Sequence, residues 1–425
     1  MKIKSVYVSK LFNEYDFALD MGQPLTFVHS PNGLGKSTLM RMIYAALRGD
    51  VDYLRGTPFS RFDILFDDDE DLVIQNYQGE MLVLMRKSDV DTDLTPSDMA
   101  SIVETLYVPP ERLAIKRGDG HLAPTLEVYA QELADRIRYA REHRELESVL
   151  REGVSEMSDD DLEFWCKDLK AKLDFIRDAG FEPDIPAGKK FPPSRYEIAK
   201  DRKGYEELAS SLADYVEKDY ILAESVIIFK DIVNDIFLNK SVTVSDTGRI
   251  GVAMNNGTAL QLQKLSSGEK QILIMFYALL FHAPQGSIVI IDEPEISLHV
   301  CWQQKLGDYL LDICRVRDIQ MIVATHSPQI IHDKWDMARE LRPTNARVPD
   351  DRGHLQRAQH GAHRVRRGVP DRRGHNRQQA LRQVRRPGRG QHRHRSLQGQ
   401  RPRRGEGDVR PQEGPEDARH HGPGP

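Results

Sequence analysis

The sequence predicts an α/β fold: a mixed sheet with an antiparallel lobe around a glycine-rich loop, an inserted helical arm, and an arginine-rich tail that stays disordered. Three observations carry this. Apolar Leu25-Thr26-Phe27-Val28-His29 runs into glycine-rich Ser30-Pro31-Asn32-Gly33-Leu34-Gly35-Lys36-Ser37-Thr38, which is the strand, turn and helix start that an anion cradle requires. Far along the chain, Ser287–Ile291 and Gln320–Thr325 are short β-branched apolar runs of the kind buried on both faces of a parallel sheet. From Leu341 onward there is no Ile, Phe, Tyr, Trp, Met or Lys, so no core can form there.

Residues 1–108 read as a first lobe. Strands at about 2–8, 14–19 and 25–29 lead to a helix over 37–48, and Phe62–Phe66, Leu72–Tyr77 and Met81–Met85 follow as further strands. Acidic Asp67–Asp71 and Gln78-Gly79-Glu80 are their turns, solvated rather than metal-binding. Residues 109–238 turn helical. Leu126–Glu147, Asp159–Arg177 and Tyr205–Phe237 carry helical apolar spacing, interrupted by Pro183, Pro186, Pro192 and Pro193, and are too short for a long coiled coil. Residues 239–340 are a second lobe. Strands at Ser241–Ser245 and Ile250–Met254 flank Asp246-Thr247-Gly248, and a loop at 265–271 then opens an apolar helix. Residues 341–425 form the basic tail.

The residue types point to phosphate chemistry. Gly33 and Gly35 let successive N–H groups curl inward on an anion, Asn32 and Thr38 bound the same loop, and the helix from Ser37 aims its positive end there. Lys36 is placed to reach the β- and γ-phosphates of a nucleotide, and the Ser37 hydroxyl to ligate Mg²⁺. Asp292 and Glu293 end the run at 287–291, where open α/β sheets gather their ligands. Two adjacent carboxylates divide the work there: Asp292 holds the metal and Glu293 polarises the attacking water. His326 ends the run at 320–325, poised toward the γ-phosphate. Ser266 and Gly268 offer a hydroxyl and N–H groups at another helix start, a second anion site that would serve the nucleotide of a partner copy. Capping of that helix by Ser266 or Ser267 is compatible with this role.

These residues resemble the ABC-type ATPase heads of the SMC, RecF and OLD-like group, also described as AAA-family ATPases. Asp292-Glu293-Pro294-Glu295-Ile296-Ser297-Leu298-His299, followed by Trp302-Gln303, is similar to the pattern of the OLD-like and anti-phage branch, and Leu106-Tyr107-Val108-Pro109-Pro110-Glu111-Arg112-Leu113 resembles a loop of that branch. The resemblance covers about residues 1–335. It implies a P-loop from Asn32 to Thr38, a signature motif from Leu265 to Gln271, a Walker B pair at Asp292 and Glu293, a D-loop from Ser297 to His299, and a switch histidine at His326. Two positions depart from the pattern: Ser30 stands where it begins with Gly, and Val300 where the branch has Pro. Neither departure removes a catalytic group.

The expectation is therefore an ATP-hydrolysing switch or sensor of prokaryotic anti-phage defence that uses ATP and Mg²⁺. It would form a homodimer or higher homo-oligomer through ATP-bridged heads and work with a TOPRIM or other nuclease, similar in layout to the ATPase subunit of PARIS-type systems. The alternative is a DNA-repair head of the RecF or SMC type that grips duplex DNA. A transporter's nucleotide-binding domain is excluded by the stretch from Glu295 to His299 and the charged insertion. Three cysteines without CxxC spacing argue against disulfides or zinc. No signal-like start or membrane-length apolar run is seen, so a soluble cytoplasmic protein without a membrane partner is expected. The net charge of −5 conceals two unlike parts. From Pro343 the tail has 20 Arg against 8 acidic residues, leaving 40 basic and 57 acidic residues before it. The tail is either a native nucleic-acid-binding arm or a product of frameshifted GC-rich DNA, and arginine without any lysine favours the second.

Overall fold

The computed structural model describes residues 1–344 except 22–23, 78–79, 89, 117–119, 143–145, 181–182 and 246. The expectations for the tail from 345 and for Gln78-Gly79 lie outside these residues. In chain order the N-terminal elements are β1 (Ile3–Leu11), β2 (Tyr15–Asp20), β3 (Leu25–His29), α1 (Lys36–Arg48), α2 (Val51–Gly56), β4 (Arg61–Phe66), β5 (Asp71–Tyr77), β6 (Glu80–Lys87), β7 (Val90–Asp93), α3 (Pro96–Ala100) and β8 (Thr105–Val108). There follow β9 (Ala114–Lys116), β10 (Leu122–Pro124), α4 (Thr125–Glu142), α5 (Asp159–Asp178), α6 (Arg195–Lys200) and α7 (Arg202–Ile236). The last group is β11 (Lys240–Val244), β12 (Ile250–Met254), β13 (Ala259–Leu260), α8 (Ser267–Tyr277), β14 (Ile288–Asp292), α9 (Val300–Arg317), β15 (Gln320–Thr325), α10 (Pro328–Ile331) and β16 (Ala338–Glu340).

Two sheets organise these elements. One is antiparallel, in the order β2-β1-β4-β5-β6-β7, and its strands alternate buried and open residues, as a sheet with one covered face should. The other is parallel, in the order β16-β3-β15-β14-β8. Its three central strands are apolar on both faces because both are covered. Val289, Ile291, Met321, Val323 and Phe27 join one core with α4, α5, α7, α8 and α9, whereas Ile288, Ile290, Ile322, Ala324 and Val28 join a second core with α1 and the antiparallel sheet. The helices over 125–236 thus share a continuous core with the parallel sheet.

A single amide ties the two sheets together. Gln320, 2% exposed at the start of β15, accepts from the Ile3 N–H (2.6 Å) and donates to the Ile3 carbonyl (2.7 Å) and the Met21 carbonyl (2.8 Å). All three backbone groups are buried, so each would otherwise cost on the order of 1–3 kcal/mol.

The motif strands lie within a residue of their expected places, but the expected mixed sheet is two separate sheets, one antiparallel and one parallel, and three further features differ. Thr105–Val108, expected as the end of a first lobe and the start of a loop, is a strand of the parallel sheet beside β14. The segment after it, expected to be helical, first makes the β9–β10 hairpin. The third is a correction to the tail boundary, because ordered structure does not stop at Glu340 and the tail expected from Leu341 begins inside the fold. β16 pairs with β3, Leu341 is fully buried and donates its N–H to the His29 carbonyl (2.9 Å), and the Thr344 N–H reaches the Asp16 carbonyl (2.7 Å). A three-residue strand is too short for periodicity to show it.

Two predictions follow from this packing. Protein ending at Asp336 should be less stable than protein ending at Thr344 by at least about 2 kcal/mol, the burial of Leu341 alone. Equal urea midpoints for the two would remove β16 from the sheet. The second concerns Asp71, where burial and the nearby Asp63 push the carboxyl up to about 6 against the pull of Arg61 and Arg86. One of its oxygens is buried with no partner among the described residues. The folded state therefore holds a proton that the unfolded chain releases, and stability falls as pH rises from about 4 to about 6. Asp71→Asn should be more stable than wild type at pH 7 by up to about 3 kcal/mol, with the gain fading below pH 4. A gain that does not change with pH would refute this cause.

Candidate functional site

The site forms where the parallel strands end together. Pairing of Asp292 with Ala324 and of Thr325 with His29 brings the carboxyl ends of β14, β15 and β3 into one row. The loop after β3 turns through Gly33 and Gly35, both at φ +86°, which L side chains rarely adopt. Gly35 is also the N-cap of α1. No side chain caps this helix and its first turn has no acidic residue, so its leading N–H groups remain open to an external anion.

Lys36 is 5% exposed and points back into the loop. Its Nζ donates to the Ser30 carbonyl and hydroxyl, both at 3.1 Å, and lies 3.2 Å from His326 Nδ1. The departure at Ser30 thus supplies an acceptor for the lysine, while the same hydroxyl donates to the Pro31 carbonyl at 3.0 Å. Burial lowers the Lys36 pKa, and Glu293, Asp292 and Glu295 oppose that shift. Asp292 is 1% exposed. It accepts from the Ser37 hydroxyl on one oxygen (3.2 Å) and from the Tyr107 hydroxyl on the other (3.1 Å). Burial raises its pKa, and these two hydrogen bonds together with Lys36 work the other way, while Glu293 adds to the rise. Glu293 leaves the strand at φ +48°, a left-handed conformation that turns its half-buried side chain toward His326 Nε2, 3.7 Å away.

Asn32, Gly33, Gly35, Lys36, Ser37, Thr38, Glu293 and His326 line one open cleft of about 570 Å³, and Asp292 reaches it through Ser37. A larger cavity, about 860 Å³ between α4 and α7, contains none of the motif residues. Ser266 and Gly268 are not in the cleft of their own chain. The Ser266 hydroxyl caps α8 in a reciprocal box with Glu269, whose carboxylate also pairs with Lys240. Gly268 is buried against the Ser297 carbonyl, where a Cβ would collide.

Four residues that sequence reasoning left without a role belong to the site. Phe12, in a left-handed turn at φ 56°, lines the cleft with its ring against Gly35. One Glu295 oxygen accepts from Thr325 Oγ1 (2.8 Å), His326 N (2.6 Å) and Ser327 N (3.2 Å), and so fixes the loop that carries the histidine. Tyr107 holds Asp292, and Arg112 donates to the carbonyls of Pro109 and Pro294, both at 3.1 Å. In the sequence the run Leu106–Leu113 stands out only as a resemblance, and nothing in its spacing marks which side chains point to β14.

Residues 129–332 match the family described as AAA domain, putative AbiEii toxin, Type IV TA system. The match includes Ser266, Asp292, Glu293 and His326, and the loop at 30–38 precedes it. The chain is also 36% identical over 88 residues to the Retron Ec83 probable ATPase of Escherichia coli, covering 18% of this chain and 16% of that one. This chain thus spans about a sixth of that curated relative. Among solved structures it is similar to the Smc head domain with an extended coiled coil from Pyrococcus furiosus, bound to the C-terminal domain of ScpA (13% identity, 86% of this chain and 100% of that one, TM-score 0.42). The SMC head domain from Thermotoga maritima is similar too (11% identity, 81% and 100%, TM-score 0.41).

Proposed function

We propose that this chain, which carries an AAA-type ATPase domain, binds ATP in the cleft, hydrolyses it, and acts as a nucleotide-driven switch of prokaryotic anti-phage defence with a nuclease effector. The observation that carries the ATPase reading is the convergence of Lys36, Ser37, Asp292, Glu293 and His326 on the uncapped start of α1.

The residues present fit Mg²⁺. Ser37 Oγ and an Asp292 oxygen lie together, and this ion takes one or two protein oxygens and fills its shell with water and phosphate. Bound there, it would neutralise charge on the phosphates. The remaining roles belong to the chain. The open N–H groups at the start of α1 cradle phosphate oxygens, and Lys36 exchanges its contacts with Ser30 and His326 for them. Glu293 accepts the proton of the attacking water. His326, held by Glu295, orients that water or the γ-phosphate. Ser266, outside the cleft of its own chain, completes the site of a second copy and so makes hydrolysis depend on dimer closure.

The defence reading is supported by the AbiEii-type family description and by the similarity to a retron ATPase. The continuous core joining the helices over 125–236 to the sheet supports it over a repair head with a projecting coiled coil.

Three experiments decide the reading. Lys36→Ala should lose nucleotide binding, whereas Glu293→Gln should bind ATP and hydrolyse it at least about a hundredfold more slowly. Equal loss of binding in both would overturn the assignment of Glu293. A nuclease encoded beside this chain should be retained differently by the ATP-loaded Glu293→Gln protein and by Lys36→Ala; equal retention would remove the effector from the proposal. Action in trans is read by mixing Lys36→Ala with Ser266→Arg protein, since one mixed dimer has one intact composite site. Activity should return on mixing, and its absence in demonstrated mixed dimers would place Ser266 in a capping role only.

A further inference from the structure

We infer that the exit of β8, from Tyr107 to Arg112, is a positioning brace for the cleft: Tyr107 sets the Asp292 carboxylate, and Arg112 sets the turn that carries Glu293 and Glu295. The inference rests on the nucleotide reading of the cleft and adds to it two residues that act through Asp292 and the Pro294 carbonyl.

Tyr107 pairs with Ile290 in the parallel register, and its hydroxyl reaches forward to Asp292 at 3.1 Å. Its ring is wedged against α1, the helix whose first turn carries Lys36 and Ser37. The Tyr44 ring lies 5.4 Å away, and the Arg41 guanidinium sits 5.4 Å from the Tyr107 and Tyr53 rings and 5.9 Å from Tyr44. A cation enclosed by three aromatic rings fixes them against one another. The hydroxyl donates to one Asp292 oxygen and leaves the other toward Ser37. A carboxylate held on one side in this way presents the other in a fixed direction, as outer partners do for metal-binding carboxylates.

Arg112, 3% exposed, works from the same segment. One arm of its fork holds the Pro109 carbonyl of its own turn, and the other holds the Pro294 carbonyl, directly after Glu293. The next residue, Glu295, carries the three hydrogen bonds that fix the loop of His326. One planar guanidinium thus links the exit of β8 to the turn that carries Glu293 and Glu295. A lysine, with a single nitrogen, cannot span both carbonyls in the same geometry.

The test uses the full chain with Tyr107→Phe and Arg112→Lys. Three quantities are measured: affinity for a fluorescent ATP analogue in EDTA, the Mg²⁺ concentration giving half-maximal ATPase activity, and turnover at saturating Mg²⁺ and ATP. Tyr107→Phe keeps the ring in its cage and removes only the hydroxyl. It should raise the half-maximal Mg²⁺ about tenfold while metal-free nucleotide affinity and the melting transition stay unchanged. Arg112→Lys should lower turnover about tenfold with little change in KM. A half-maximal Mg²⁺ for Tyr107→Phe within twofold of wild type overturns the role of Tyr107. Loss of its cooperative melt would mark the hydroxyl as structural and overturn it too. Unaltered turnover in Arg112→Lys overturns the role of Arg112. Wild type without Mg²⁺-dependent hydrolysis would instead bring down the nucleotide reading, so the two failures are distinguishable.

Discussion

The register of three parallel strands, β3, β15 and β14, is the constraint on which the rest of the molecule depends. Each is covered on both faces, so none can carry a charge until it emerges from the sheet. The polar groups therefore gather at the carboxyl ends, and pairing of Asp292 with Ala324 and of Thr325 with His29 sets them in one row. A slip of one residue would reverse which side chains face each core and move Asp292 away from Ser37. Gln320 guards against that slip, because its amide fits the Ile3 and Met21 backbone groups in one alignment only.

Charge balance within the row explains how it tolerates burial. Lys36 alone would be penalised by lost hydration, and Asp292 alone likewise; the two offset one another, and Glu293 and Glu295 further support the lysine while Glu293 works against Asp292. Hydrogen bonds complete the compensation, from Ser37 and Tyr107 to Asp292 and from Lys36 to Ser30. The arrangement is held by neighbours whose other contacts lie elsewhere in the fold, Tyr107 against Tyr44 of α1 and Glu295 against the end of β15.

Much of this was legible in the sequence. The glycine loop with its lysine and the strands ending in Asp292 and His326 are local patterns, since a fully buried strand and an anion-binding turn each have a composition of their own. The parts that were missed depend on distant partners. Thr105–Val108 and Ala338–Glu340 are too short to announce themselves, and they become strands because β14 and β3 offer them free edges. Glu295, Tyr107 and Arg112 look like ordinary surface or loop residues until the fold brings 107–112 to β14 and Glu295 under β15. Ser266 reads as a helix cap and as an anion donor at once, and within one chain the structure shows the cap.

The strand order of the parallel sheet also bears on how the chain reaches this state during synthesis. β3, which carries the phosphate loop, is made early, yet its two neighbours, β15 and β16, are about three hundred residues downstream. The antiparallel strands β1, β2 and β4–β7 can pair soon after they leave the ribosome, whereas β3 must wait with both edges unsatisfied. Such delayed long-range pairing makes folding slow and leaves a hydrophobic strand exposed to wrong partners. A nascent chain of this protein should thus gain its cleft late, only after residues 320–340 have been released to close both sides of the strand that was made first.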